Sequence, residues 1–320
     1  MYDWAEYGYF KYLLAVVEKN GFRAAAEELH TTQPNLSAQA KQFHEQSGVR
    51  LYRKSKSGRI RLTATGIAFK LIARGLLDAR DEAMDALIAV ERGEIRSLRL
   101  GCSSQADPTL FHAFCALHKE LLPDCPVRPA HGDTLQLVQE ITSGEIDAAI
   151  VTLPVADPSI HIEEIRRDRL VVCLRSDNPL AAKSSLQAAD LQRHPTVFYH
   201  PQRHPQAHAR LVELLAEVGV KVEEYSRASH PSEMQLLVKQ GFGFALIREG
   251  TVLESELITR PIAGVGWTVD TACIYKKQAY PKTIPVLVRL LKSRMANPSV
   301  NGKKPSRAAG KGPEQMSLLS

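Results

Sequence analysis

The sequence predicts an α/β protein made of a small helical head, one long helix and a region of alternating strands and helices. Three observations carry this. Apolar residues near the start recur at three- and four-residue spacing, as on the buried face of a helix. Ala64 to Arg92 contains no proline and keeps one narrow apolar stripe. After Gly93 short apolar runs alternate with amphipathic stretches, the pattern of parallel-sheet layers in two subdomains.

Residues 5 to 19 read as a first helix, with Phe10, Leu13, Leu14 and Val17 on one face and Asn20-Gly21 as its stop. Residues 22 to 30 form a short Ala-rich helix and residues 33 to 47 a third. The run "HTTQP" between them is too short for a linker. Thr32 suits an N-cap, and Pro34 belongs in a first turn, where no amide hydrogen is needed. In the third helix Leu36, Ala40, Phe43 and Ser47 share one face, while Pro34, Asn35, Ala38, Lys41 and Gln42 lie opposite. Residues 50 to 62 read as a hairpin or wing. Its "RLYRKSKSGRIR" holds six basic residues and no acid.

The stripe of the long helix is Ile72, Leu76, Ala79, Ala83, Leu87 and Val90. Its other faces are charged, so it needs a partner. A second copy of the same helix supplies one, and packing onto its own domain is the rival reading. Beyond Gly93 come "SLRLGC", "PVRPAHG", "IDAAIV", "RLVVCLR", "TVFY", "VKVEEY", "FGFALI" and "TVDTACIYKK", with helices starting near Pro108, Asp133, Pro205 and Pro231. From Asn297 onward Pro, Gly, Ser and Lys dominate, and a disordered tail is expected, with a basic cluster at Lys303, Lys304, Arg307 and Lys311.

Composition narrows the function classes. The chain has 320 residues and net charge +6. No apolar run approaches a membrane span, and Asp3 and Glu6 stand where a signal peptide carries basic residues. A cytoplasmic protein is expected, with no membrane partner. Five scattered cysteines without a C-x-x-C pair read as buried thiols. Dense one-sign basic patches suit a polyanion, most often nucleic acid.

Two short helices joined by a tight turn, the second with a polar outer face, are what a major-groove reader requires. Residues 10 to 66, through "FRAAAEELHTTQPNLS", "GVRLYRK" and "RIRLTATG", resemble the N-terminal winged helix-turn-helix of LysR-type transcriptional regulators. "RLVVCLRSDNPLA" and "EMQLLVKQGFGFALI" resemble later parts of the same family, so the likeness spans residues 1 to about 296. It implies an α/β fold overall: an N-terminal winged helix-turn-helix over 1–63, a linker and dimerisation helix over 64–93, and a two-subdomain α/β effector domain of periplasmic-binding-protein type over 94–297. The basic tail is then 298–320. Departures occur at Ala38, where the family commonly has Arg, and at His44, in place of the Glu of a Leu-Glu pair. Lys54 replaces a common Arg, and Arg248 follows "FALI" where many members have Pro.

By this resemblance the helix from Gln33 enters the DNA major groove. Gln33 and Asn35 can pair with adenine, and Ser37, Lys41 and Gln42 can reach base or phosphate. Thr32 and Pro34 set the turn beside the DNA, and Arg23, Arg53, Lys54 and Arg59 neutralise phosphates. Expected partners are double-stranded DNA, a small-molecule effector, a second copy through the linker helix, a homotetramer beyond that, and RNA polymerase if the protein activates. The effector cleft is expected at strand ends and helix starts: Ser103, Ser104, Gln105, His131, Gly132, Thr134 and Thr152, with Tyr199, His200, Ser229, His230 and Arg248. Asp107 and Asp133 read as ordinary N-caps.

No cofactor, metal or catalytic residue is expected. His194, His200, His204 and His208 lie close in sequence, but no carboxylate or cysteine is adjacent, so they read as loop histidines. Ser103 and Ser104 lack a G-x-S-x-G or S-x-x-K setting for a nucleophile.

Overall fold

The computed structural model describes residues 2–54, 60–192, 194, 196–221, 225–278 and 280–296. The chain divides into two compact units, the first built mainly on residues up to Arg99 and the second mainly on Leu100 to Tyr275.

In the first unit α1 (Tyr7–Glu18), α2 (Phe22–Glu28) and α3 (Gln33–Ser47) are followed by β1 (Tyr52–Lys54), β2 (Ile60–Leu62) and α4 (Ala64–Glu91). Leu13, Leu14 and Val17 of α1, Ala25 and Ala26 of α2, and Leu36, Ala40 and Phe43 of α3 share one core with Phe69, Ala73 and Leu77 of α4. Phe43 is its aromatic centre, edge-on to Phe10 at 6.2 Å and to Phe69 at 5.8 Å. The alanines of α2 let the helices approach closely. Asn20, with φ 52°, ends α1 in the left-handed region. β1 and β2 pair antiparallel, Tyr52 opposite Leu62 and Lys54 opposite Ile60. The tip of this wing, with Lys56 and Arg59, lies outside the described residues, as do 298–320 and the basic cluster there.

The long helix has two apolar faces. Gly66, Phe69, Ala73 and Leu77 pack onto the head. The stripe read from the sequence lies elsewhere on the cylinder and is mostly open in the single chain: Ile72 is 64% exposed and Leu87 63%, while Leu76 and Ala79 are half-buried. The rival reading, packing onto the head, therefore holds for a neighbouring face and leaves most of the stripe uncovered.

The second unit holds β3 (Leu98–Ser103), α5 (Pro108–Leu121), β4 (Val127–Gly132), α6 (Thr134–Ser143), β5 (Ala148–Thr152), β6 (Ile160–Arg175) and α7 (Ala188–Leu191). It continues with β7 (Thr196–Tyr199), α8 (Pro205–Glu217), β8 (Tyr225–Ala228), α9 (Pro231–Lys239), β9 (Phe244–Arg248), β10 (Leu257–Arg260), β11 (Thr268–Lys276) and α10 (Ile284–Ala296). Strand order is β4-β3-β5-β11-β6-β9-β7-β8, with β10 beside β6. One core gathers Leu137, Ile141, Val151 and Ile274; another gathers Leu174, Phe198, Leu214, Leu246 and Trp267.

Where parallel-sheet layers were expected, the sheet is mixed. β3–β5 and β8–β7–β9 are parallel, but β5–β11, β6–β9 and β6–β10 are antiparallel. The antiparallel pairs belong to β11 and to β6, and β6 shows why the sequence concealed them. Only its end, "RLVVCLR", is apolar enough to read as a strand; the preceding "IHIEEIRRD" is mostly half-exposed and charged, yet the strand runs for 16 residues. That long strand runs antiparallel to both β9 and β10.

Candidate functional site

On the first unit, α3 turns its polar row outward. Gln33, Pro34, Asn35, Ala38, Lys41 and Gln42 are exposed, and Ser37 is half-buried at the margin of the row. The opposite face carries the buried Leu36, Ala40 and Phe43, so burial of one side orients the other. Thr32 accepts from the Asn35 amide at 3.4 Å, a cap worth about 1 kcal/mol. The Asn35 side chain is itself engaged, its Nδ2 donating to Thr31 Oγ1 at 3.0 Å. Lys41 lies 3.7 Å from Glu45 and Arg23 3.3 Å from Glu27, both exposed pairs of about 0.3–0.5 kcal/mol that release their cations cheaply. Arg53 is exposed on β1. His44 points inward against Tyr52, ring centroids 5.0 Å apart, and burial followed by the charge of Arg50 lowers its pKa.

In the second unit the carboxyl ends of β3, β5, β7 and β9 border a cavity of about 750 Å³, the size of a small-metabolite site. Ser104, Gln105, Thr152, Tyr199, His230 and Arg248 line it. Gln105 is 6% and Thr152 7% exposed. Gln105 Nε2, Ser104 Oγ and Thr152 Oγ1 are buried without a hydrogen-bond partner. Each such group costs about 1–3 kcal/mol while unsatisfied. Folding therefore leaves these polar atoms, and Arg248 Nε with them, buried and unpaired beside the cavity.

The remaining polar wall is charged but internally balanced. Arg166 donates to Asp107 at 2.6 Å and to Asp168 at 2.8 Å. Arg248 donates to the Gln105 carbonyl at 2.7 Å and lies 3.3 Å from Asp168. Burial alone would raise the Asp107 carboxyl, but hydrogen bonds from Arg166 and the Thr109 amide outweigh it and hold it below the ordinary carboxylate value. Burial pushes the Tyr199 hydroxyl up to about 12, so it is neutral.

Six of the expected cleft residues fall elsewhere. Ser103 and Thr134 hydrogen-bond each other at 3.1 Å, tying β3 to α6. His131 packs on Phe111, and the Gly132 carbonyl accepts from the Ser104 amide. His200 Nδ1 accepts from the Gln202 amide, and the Ser229 amide donates to Glu233. Of the two expected caps, Asp107 accepts from the Thr109 amide at 2.9 Å. Asp133 makes no side-chain cap; it lies 3.1 Å from Arg203 and 3.5 Å from His204. The imidazoles of His204 and His208 meet the carbonyls of Ser229 and Tyr199.

Two family models match the chain. One, described as "Bacterial regulatory helix-turn-helix protein, lysR family", matches residues 8–67; the other, "LysR substrate binding domain", matches residues 91–296. The chain belongs to the LysR family of transcriptional regulators. This LysR-type regulator is 29% identical over 247 residues to the HTH-type transcriptional regulator BudR of Raoultella terrigena, covering 76% of this chain and 84% of that one. It is 26% identical over 294 residues to the Hca operon transcriptional activator HcaR of Escherichia coli, covering 91% and 99%. Among solved structures, full-length CbnR complexed with its target DNA aligns with TM-score 0.53 and 23% identity over 90% of this chain and 99% of that one. Full-length BenM aligns with TM-score 0.56 and 20% identity over 91% and 98%. Regulators of this family bind DNA, respond to small effectors and form oligomers. Among the described residues no helix is long and apolar enough to cross a membrane.

In this LysR-type regulator much of the cavity lining escaped the sequence reading, and three charged residues matter most. Asp107 was read only as a cap, and Arg166 and Asp168 were not singled out. Their signal was the spacing Arg166, Asp168, Leu170 along one face of a strand whose charge concealed it.

Proposed function

We propose that this regulator reads its operator with the outward row of α3, grips flanking phosphates with the wing, and changes its DNA binding when a small molecule occupies the 750 Å³ cavity. The observation that carries the effector half is the set of three unpartnered polar atoms on Ser104, Gln105 and Thr152. Tyr199, His230 and Arg248 complete the site from β7, α9 and β9. On the DNA side Gln33 is the foremost base reader, since Asn35 is already hydrogen-bonded to Thr31. Asn35, Ser37, Lys41 and Gln42 follow it, Thr32 and Pro34 hold the turn, and Arg23, Arg53, Lys54 and Arg59 meet phosphates. Two copies pair through the exposed stripe of α4, setting two recognition helices against half-sites. The working division is 1–63 for DNA, 64–93 for pairing and 94–297 for the effector. The protein acts in the cytoplasm as a regulator without a catalytic step.

Titration of operator and random duplexes at several salt concentrations tests the DNA half. Gln33→Ala is expected to narrow the ratio of operator to random affinity about tenfold, the worth of one good base contact. Arg53→Ala should weaken both duplexes alike and lower the salt slope by about one. Equal, sequence-independent losses from the two changes would sink the assignment of α3. Footprinting upstream of its own gene, with protection shifted by a small molecule, tests regulation itself.

A further inference from the structure

The two arginines and two aspartates around the cavity cancel among themselves. Arg166 sits between Asp107 and Asp168, and Arg248 lies 3.3 Å from Asp168 and 3.9 Å from Asp107. Each guanidinium is thus already faced by carboxylates, and Glu249, exposed at the rim, adds a negative charge without adding a positive one. A carboxylate entering this space would have to displace Asp107 or Asp168 from an arginine. It would do so against the remaining acids, in partly buried surroundings where charge–charge terms are strong. A cation meets the converse obstacle, because the two aspartates are held by arginines.

Apart from Arg248 Nε, which lies 3.3 Å from Asp168 without a hydrogen bond to it, the cavity groups that lack partners are uncharged. Gln105 Nε2 is a donor with two hydrogens, and the Ser104 and Thr152 hydroxyls can donate or accept. Leu170, Leu246 and Val269 offer the cavity an apolar wall for a carbon skeleton. We infer that the cavity takes an uncharged small molecule of hydroxyl or carbonyl class, bound through Gln105, Ser104 and Thr152, and rejects carboxylates. The inference rests on the cavity being the effector site, as proposed above.

The full chain, mixed with fractions of deproteinised cell extract separated by ion exchange, tests it through the thermal unfolding midpoint and the operator footprint. The unretained, neutral fraction is expected to raise the midpoint and shift the footprint. Gln105→Leu and the near-isosteric Thr152→Val should each weaken that response at least tenfold. Benzoate should leave the wild-type protein unchanged but bind Asp168→Asn, in which the guanidiniums lose one opposing charge. Activity confined to the anion-retained or cation-retained fraction overturns the ligand class and leaves the cavity's role standing. So does benzoate binding to the wild-type cavity, or its failure to bind Asp168→Asn. No response to any fraction overturns the effector reading itself.

Discussion

At the scale of single residues, two histidines tie this protein's stability to pH. His204 is 4% exposed, and burial lowers its pKa despite its bond to the Ser229 carbonyl and the nearby Asp133. His44 shifts the same way, through burial and then Arg50. Above the ordinary imidazole value of 6.5 both states are neutral and the contribution is fully present. As pH falls below it, the unfolded chain takes up protons that the folded sites resist, and stability is lost until the folded pKa is passed. His204→Gln keeps a donor for Ser229 but does not titrate. Thermal unfolding of both proteins from pH 7.5 to pH 5, in about half-unit steps, should show the wild type losing stability relative to the variant on acidification. Parallel curves would remove His204 from the account.

At the scale of elements, the join between wing and long helix depends on one missing side chain. A Cβ on Gly66 would stand 1.9 Å from the Leu51 carbonyl oxygen, and Leu51 is fully buried. That same oxygen accepts from the Thr63 amide at 3.0 Å, while Thr63 Oγ1 caps α4 by accepting from the Gly66 amide at 3.0 Å. The backbone cannot move aside without breaking the cap. Gly66→Ala should therefore cost about 3 kcal/mol, seen in denaturant unfolding of the head, and weaken operator binding through a displaced wing. A stable variant with unchanged affinity would mean that α4 and the wing slide freely. The motif L-T-x-x-G thus has a steric cause, visible only once strand and helix are packed together.

At the scale of the whole molecule, the exposed stripe on α4 is the face through which two copies are proposed to pair. Ile72 and Leu87 lie on the same side of the cylinder and are both more than half exposed, as an interface is in a single chain. Ile72→Glu and Leu87→Glu should each weaken self-association at least tenfold, measured by sedimentation at micromolar concentration. Sedimentation unchanged from wild type would place the contact elsewhere. Loss of pairing should also weaken binding to paired half-sites far more than to a single half-site, because the two heads then bind independently.

Much of the head was legible in advance, since its signals are local. Periodicity placed the three helices, "HTTQP" set the turn, and a single strip of apolar positions marked the stripe on α4. The positions of most strands along the chain were legible too, but neither their order in the sheet nor their direction was: β6 is charged where it is half-exposed, so a pattern that reads burial could not follow it. The cavity shows the same division. Strand ends located Ser104, Gln105, Thr152, Tyr199, His230 and Arg248, whereas Ser103, Thr134 and His131 turned to local partners that spacing cannot reveal. Sequence by itself determined the family, the polar outward row of α3 and much of the face of α4 left open, because these depend on residues within a few turns of one another. Only the tertiary structure decided that Arg166 and Arg248 are neutralised by Asp107 and Asp168. Those four groups lie up to 141 positions apart in sequence (248 − 107), and pairing across such distances exists only once the strands carrying them are in place.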